Sequence, residues 1–403
     1  MRKFYIRTLV KTTAPVIRTH GISLSRHFYA RMFEHNPELK PLFNQSHQKT
    51  GAQQQALAMA VVAYAEHIDN PMVLAPVLEL IANKHVSLGV RQEHYAIVGG
   101  HLLASIREVL GGEVATDELI AAWAAAYGQL ADVLVGMEDR LYKEAATQAG
   151  GWSGWRGFKV AQKKIESDEI TSFYLMPADG GAVPTYRPGQ YVTIRAYLPE
   201  LGMHQPRQYS LSTAPGHNTL RISVKRESAN AAQPAGMMSS FLHDQISEGS
   251  ILDVASPMGD FVLADGPAVL ISAGVGVTPM ISMLEYMTQH TPKRSVLFIH
   301  ACRHGGVHAF RDHVRDLARR HAQVRTIFYY ESPRIEDVQG KYFDHSGRIN
   351  LLHASIGVLN TSAHYYLCGP YGFMQIQKTA LQAAGVPISN IRTEEFGVQQ
   401  HSA

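Results

Sequence analysis

The spacing of apolar residues changes twice along the chain. From residue 1 to about 147 it is helical, with no convincing run of period two, which predicts an all-α part. Leu74, Leu78, Ile81, His85 and Leu88 recur at intervals of four and three, so His85 falls on the buried stripe of its helix rather than the wet face. Gln53, Leu57, Val61, Tyr64 and Ile68 form a second stripe. Ile22, Tyr29 and Met32 form a third, and Tyr127, Ala131, Leu134, Glu138 and Leu141 a fourth.

Gly150 to Gly157 is glycine-rich and breaks the helical pattern, as a linker does. Between 158 and 263, short alternating segments such as Tyr191–Arg195 and Leu220–Lys225 are separated by Pro/Gly turns, which predicts a small antiparallel β-barrel. Beyond 267, apolar strands (268–273, 295–301, 325–330 and 365–368) alternate with helical stretches at 310–320 and 372–384, the pattern of a parallel α/β domain. The expected fold class is multi-domain: all-α over 1–148, a linker over 149–157, an antiparallel β-barrel over 158–265 and a parallel-sheet α/β domain over 266–403.

Composition narrows the function classes. A hydrophobic share of 45% and a charged share of 18% are those of a globular chain, and a net charge of +3 provides no basic face for nucleic acid. Cys302 and Cys368 have neither CxxC nor metal-ligand spacing, which fits a reducing compartment. The basic N-terminus is not followed by an apolar core, and no stretch offers 18 uninterrupted apolar residues, so a cytoplasmic protein without membrane insertion is expected.

Within the helical part, a lone histidine on an apolar stripe is more often a satisfied core residue than a ligand, but the neighbours of His85 change the balance. Glu138 sits on its own buried stripe, a costly place for a charge unless it is partnered. The Tyr29 hydroxyl points inward and needs a partner, and Phe43 follows Pro41-Leu42 in a loop, where a large ring is useful only against something flat.

These residues together resemble a globin over 1–147, and more sharply the flavohaemoglobins, through Tyr29 within Arg26 to Phe33, His35 to Lys40, and Lys84-His85. The resemblance implies that His85 is the proximal ligand of a haem b, that Phe43 packs on the haem, and that Gln53 and Leu57 form the distal wall. It also implies that Tyr29 donates a hydrogen bond where O₂ binds, and that Tyr95 and Glu138 stand behind His85, with Asp139 as a rival for the carboxylate.

Arg207-Gln208-Tyr209-Ser210 at a strand end offers a cation for phosphate, a ring for stacking and a hydroxyl for a flavin nitrogen. Gly236 to Leu242 opens a helix on which Ser239 caps the phosphate-facing end. This pair resembles the FAD barrel of ferredoxin-reductase-like proteins, and Tyr191 and Lys225 match further positions. Gly274-Val275-Gly276-Val277-Thr278-Pro279 follows an apolar strand and opens a helix, where glycines admit a pyrophosphate. With Cys368-Gly369-Pro370 it resembles the NAD(P) domain of the same family. Glu394, Glu395, Phe396, Gly397 and Val398 resemble the terminal flavin contact, with Lys84 and Glu394 tuning both redox groups across the junction.

The resemblance therefore implies nitric oxide dioxygenase activity in a monomer that uses one haem, one FAD and NAD(P)H, with O₂ and NO as small-molecule partners. Rival readings are an O₂ or NO sensor or store with an attached haem reductase, and a reductase of alkyl hydroperoxides or flavins.

Overall fold

The computed structural model describes residues 2–43, 52–229, 234–353 and 359–396, with the backbone alone at 2–4 and 52–56. Its first part is helical: α1 (Arg2–His35), a 3₁₀ turn (Pro37–Leu42), α2 (Ala52–Glu66), α3 (Ala75–Leu88), α4 (Gln92–Leu110) and α5 (Asp117–Thr147). The Thr116 hydroxyl accepts from Leu119 N–H, and Asp117 and Glu118 complement the positive end of the α5 dipole. The helix α3 stops at Gly89, whose φ of +80° allows Val90 N–H to close on the His85 carbonyl, so His85 occupies a fixed last turn.

Phe28, Met32, Ile68, Ile106 and Trp123 fill the helical core. At the crossing of α1 and α2, a Cβ on Gly21 would lie 3.0 Å from that of Ala58, so glycine sets how closely the two helices approach. One expectation fails in this part: Ile22 is 52% exposed although Tyr29, one face with it in the pattern, is 7% exposed. Phe33 and Phe43 close over Tyr29 near the C-terminal end of α1.

The second part is a six-stranded antiparallel sheet in the order β4-β3-β6-β1-β2-β5, formed by β1 (Trp155–Ile165), β2 (Ile170–Pro177), β3 (Tyr191–Leu198), β4 (Met203–Ser210), β5 (Leu220–Lys225) and β6 (Ile251–Ala255). A bridge between Leu211 and Ile222 brings its two edges together, and α6 (Met237–Asp244) packs beside it. Residues 155–157, expected in the linker, already belong to β1, where they pair with Asp253 to Ala255. Trp152 in the linker is itself tied to the barrel, donating its indole N–H to the Val254 carbonyl at 3.0 Å.

The third part is a six-stranded parallel sheet in the order β10-β9-β8-β7-β11-β12, comprising β7 (Ala268–Ala273), β8 (Val296–Cys302), β9 (Val324–Tyr330), β10 (His345–Ser346), β11 (His364–Cys368) and β12 (Ile391–Glu394). Three helices connect it: α7 (Val277–His290), α8 (Arg311–Arg320) and α9 (Tyr371–Ala383). Crossovers leave β7 in opposite directions, which makes the carboxyl ends of β7 and β11 a topological switch point, where ligands enter such sheets. Among the described residues, α5 is long and apolar enough to cross a membrane by length and composition, and its inner face carries the buried Leu134, Glu138 and Tyr142.

Candidate functional sites

In the helical part, α3, α4 and α5 converge on one polar triangle. His85 Nδ1 lies 2.8 Å from Glu138 Oε1 and 3.1 Å from the Tyr95 hydroxyl, and that hydroxyl donates to the same Glu138 oxygen at 2.5 Å. Glu138 is 2% exposed, so its charge is stabilised by these donors rather than by water. Burial first, and then the hydrogen bond to Glu138, raises the Tyr95 pKa far above its ordinary value, which keeps the phenol protonated as a donor. Asp139, the rival carboxylate, is exposed.

Because Nδ1 is engaged by a carboxylate, the imidazole is fixed in the tautomer whose lone pair is on Nε2, the atom a metal takes. Among the described residues no three His, Cys, Asp or Glu side chains gather as a metal cage. One oriented imidazole between apolar walls fits a haem, which asks one ligand of the protein and an apolar surround. Leu78, Ala82, Ile81, Leu134 and Met137 line the His85 side. Tyr29, Phe43, Leu57 and Val61 form the α1/α2 side, with Tyr29 and Phe43 edge to face at 5.7 Å. Leu74 and Leu130 belong to both. Gln53 lies on α2 by its backbone, and its side chain is outside the described residues.

The flavin-type residues come together through strand register. Tyr191 at the start of β3 pairs with Ser210 at the end of β4, and Val192 with Tyr209. Burial pushes the Arg207 guanidinium below its ordinary pKa and the Tyr209 phenol above it. Ser239 Oγ donates to the Gly236 carbonyl at 3.0 Å and accepts from Glu227 N–H at 3.1 Å, which folds the segment after β5 onto the first turn of α6. Lys225 forms an ion pair with Glu227 at 3.1 Å in the same place. A cation, hydroxyls, a helix N-terminus and two phenols fit a flavin dinucleotide.

At the switch point, Gly274 takes φ +54° and is exposed, and residues 274–276 form a 3₁₀ turn that leads into α7. A Cβ on Gly276 would meet the Cys368 carbonyl oxygen at 2.2 Å, and one on Gly369 would meet Ala273 Cβ at 3.1 Å, so the two glycines interlock the ends of β7 and β11. Val277, Thr278, Pro279 and the Cys368 thiol are buried, while Val275 and Gly369 are partly exposed and Pro370 is exposed. What this place offers a dinucleotide is backbone amides and a helix N-terminus rather than side chains.

The helix carrying His85 is stitched to the barrel on both sides of that residue. Asn83 Oδ1 accepts from Gly259 N–H at 3.0 Å, and Ser87 Oγ accepts from the Gln208 amide at 3.0 Å. Tyr191 packs with Val86, Tyr142 and Met258. Across the junction, burial and the charges of Asp260 and Glu395 hold the Glu394 carboxyl up at about 8, against the pull of Lys84. Burial lowers the Lys84 ammonium in turn, opposed by Glu394 and Glu395. Phe396 is 43% exposed, and Gly397 and Val398 lie outside the described residues.

Sequence reasoning did not single out Asn83, Ser87 or Phe33. The first two are polar residues buried on a helix that also carries Glu79, Lys84 and His85, so nothing in their spacing sets them apart.

The chain matches family models for Globin over residues 26–134, an oxidoreductase FAD-binding domain over 157–263 and an oxidoreductase NAD-binding domain over 270–379. It is 60% identical over 97% of its length to a flavohemoprotein of Bordetella parapertussis, 98% of which is covered. It superposes with a TM-score of 0.85 on the crystal structure of a flavohemoglobin from Malassezia yamatoensis with bound FAD and haem, at 28% identity over 97% of this chain and 98% of the other. Over 60% of this chain and 98% of the other, it is similar, with a TM-score of 0.55 and 37% identity, to the flavohem-like FAD/NAD-binding domain of nitric oxide dioxygenase from Vibrio cholerae.

Proposed function

This chain belongs to the flavohemoprotein family, and from that premise we propose that it is a nitric oxide dioxygenase, converting NO and O₂ to nitrate with electrons from NAD(P)H. One haem b and one FAD supply oxygen activation and the division of a hydride's electron pair into single electrons.

The residues of the chain hold and bias those groups. His85 presents Nε2 as the axial donor, and the Glu138 carboxylate on its Nδ1–H makes the imidazole more electron-donating. Tyr95 keeps that carboxylate in place. Tyr29 donates a hydrogen bond on the α1/α2 side, where negative charge develops on the substrate, and Phe43, Gln53 and Leu57 shape that side. Arg207 and Ser239 serve the FAD diphosphate, and Tyr191, Tyr209 and Ser210 its ring, with Gln208, Lys225 and the segment from Glu395 to Val398 around them. Backbone groups at 274–279 and 368–370 receive NAD(P)H, and Lys84 and Glu394 tune the two redox groups. The protein works as a cytoplasmic monomer on small molecules, and its two free thiols, both buried, suit a reducing compartment.

One observation carries this reading: the Glu138–His85–Tyr95 triangle, closed around a buried carboxylate. An electron push from behind the metal favours O–O activation, which an O₂ carrier, a sensor or a flavin reductase does not need; nitrate formation separates the reading from hydroperoxide reduction. The test supplies purified holoprotein with NADH, air and NO and counts nitrate. One nitrate per NO is expected, and NO held or consumed without nitrate overturns the assignment.

A further inference from the structure

Outside the sites described, a second carboxylate is buried and fully engaged. Glu285, on α7, is 6% exposed. Its Oε1 accepts from Arg221 Nη2 at 3.0 Å and His313 Nε2 at 2.9 Å, and its Oε2 accepts from Thr213 Oγ1 at 2.8 Å and Ala214 N–H at 2.9 Å. Three of these four donors belong to the barrel and one to α8, so the carboxylate joins the two reductase domains. Burial opposes its charge, yet the donors hold its pKa down at about 2. Around it, Ser282 Oγ and the Tyr186 hydroxyl both donate to the Thr213 carbonyl, at 2.6 and 2.8 Å.

The joint lies on a direct mechanical line between two places. The helix α7 runs from Val277 to Glu285 without a break, about 12 Å at 1.5 Å per residue. Thr213 follows Ser210, the end of the flavin-type strand, by three residues, about 10 Å of extended chain. A tilt of about 5° at the joint moves the 274–276 turn by about 1 Å over that lever, and a misplacement of that size costs a reaction up to about 100-fold.

We propose that Glu285 is a positioning residue for hydride transfer: clamped by Arg221, Thr213, Ala214 and His313, it fixes the nicotinamide-side turn at 274–276 relative to the flavin-side strand end. This rests on the reading above that Arg207 to Ser210 serve FAD and 274–279 serve NAD(P)H. Glu285 touches neither group and acts through α7.

The experiment follows anaerobic bleaching of the flavin by NADH in full-length holoprotein, by stopped flow, with deuterated NADH in parallel. Glu285→Gln removes the charge and sets an amide NH₂ against one of the two donor pairs, Arg221 with His313 or Thr213 with Ala214. At saturating NADH its bleaching rate is expected to fall at least about tenfold with an enlarged deuterium isotope effect, while KM for NADH stays within about threefold and flavin and haem contents are unchanged. A merely structural role would lower protein yield or cofactor content without changing the isotope effect of the folded fraction. Thr213→Val, which removes one donor and leaves Ala214 N–H, is expected to slow bleaching about threefold, and Arg221→Lys, which keeps the charge, to retain more of the rate than Arg221→Met. If Glu285→Gln does not fold, these variants decide. Wild-type rates and isotope effects in FAD-replete variants overturn the proposal. Retention of stoichiometric flavin by Arg207→Ala overturns instead the placement of the flavin on which it rests.

Discussion

Gln208 donates its side-chain amide to Ser87 Oγ across 3.0 Å, joining the strand that ends in Tyr209 and Ser210 to the helical turn that holds His85. The same hydroxyl donates to the Lys84 carbonyl at 2.8 Å, so one serine ties the barrel to the helix that carries His85. A hydrogen bond of this kind contributes about 0.5–1.5 kcal/mol, enough to change the population of a closed junction by about two- to tenfold. Ser87→Ala and Gln208→Ala should therefore slow NADH-driven haem reduction by about that factor, measured anaerobically with carbon monoxide as a trap, with flavin bleaching unchanged in Ser87→Ala. Equal haem reduction rates in both variants and the parent would show that this contact does not gate electron flow.

Glu138 accepts hydrogen bonds from two donors and has almost no solvent to fall back on. Tyr95→Phe removes one donor from a buried carboxylate, which costs about 1–3 kcal/mol. The globin part should melt several degrees lower, about 2–4 °C per kcal/mol for a domain of this size. Glu138→Gln keeps the shape and removes the charge, so haem content should persist while nitrate formation at limiting O₂ falls. A Glu138→Gln protein with parental turnover would remove the electron push from the account. In the same assay Tyr29→Phe should lose O₂ retention and turnover together, and unchanged turnover would refute its role.

Much of this was legible from residue spacing. The stripe through Leu78 and His85, the carboxylate on the stripe with Leu134, and the strand–glycine–helix junction at 273–277 each follow from periodicity and turn chemistry. What spacing does not encode is which surface of an element another domain covers. Ile22 shares a direction with Tyr29 and is exposed, whereas Tyr29 is covered by Phe33 of its own helix and by Phe43 from the segment that follows it. Likewise Asn83, Ser87 and Glu285 read as ordinary polar residues until the barrel is placed against them. The buried thiol of Cys368 shows the converse, since a residue named for the nucleotide site contributes its backbone there and its side chain to the core.

His300 and His308 lie inside the α/β domain, 1% and 5% exposed, with ring centroids 4.9 Å apart. Burial pushes His300 down to about 3 from 6.5, and burial followed by the charges of His300, Arg311 and Arg315 pushes His308 well below its ordinary value. Between those limits the unfolded chain binds more protons than the native one, so stability rises with pH across the window and is lost as pH falls. Each histidine adds a slope of about 1.4 kcal/mol per pH unit. Hydrogen exchange of the β7 and β8 amides should therefore accelerate steeply from pH 6 toward pH 4, after correction for intrinsic rates. His300→Gln, which can keep the bond to Ser272, should remove its share of the slope. A corrected profile that is flat in the parent protein would mean the two rings are not held neutral.

Gly276 and Gly274 are both glycines of the nucleotide turn, but for different physical reasons. Gly276 has no room: an added Cβ would stand 2.2 Å from the Cys368 carbonyl oxygen and 2.8 Å from Gly369 N, both backbone atoms. Gly276→Ala must therefore push the ends of β7 and β11 apart, an overpacking cost of about 1–3 kcal/mol taken at the switch point itself. Gly274 has open space around it and a φ of +54°, so the cost of a side chain there is conformational, about 1–2 kcal/mol for alanine and less for asparagine. Gly276→Ala should raise KM for NADH and slow flavin bleaching while haem and FAD contents stay full. Gly274→Asn should retain most of the rate and Gly274→Ala less. If Gly276→Ala and Gly274→Asn were equally impaired, close approach of β7 to β11 would not be what the second glycine provides.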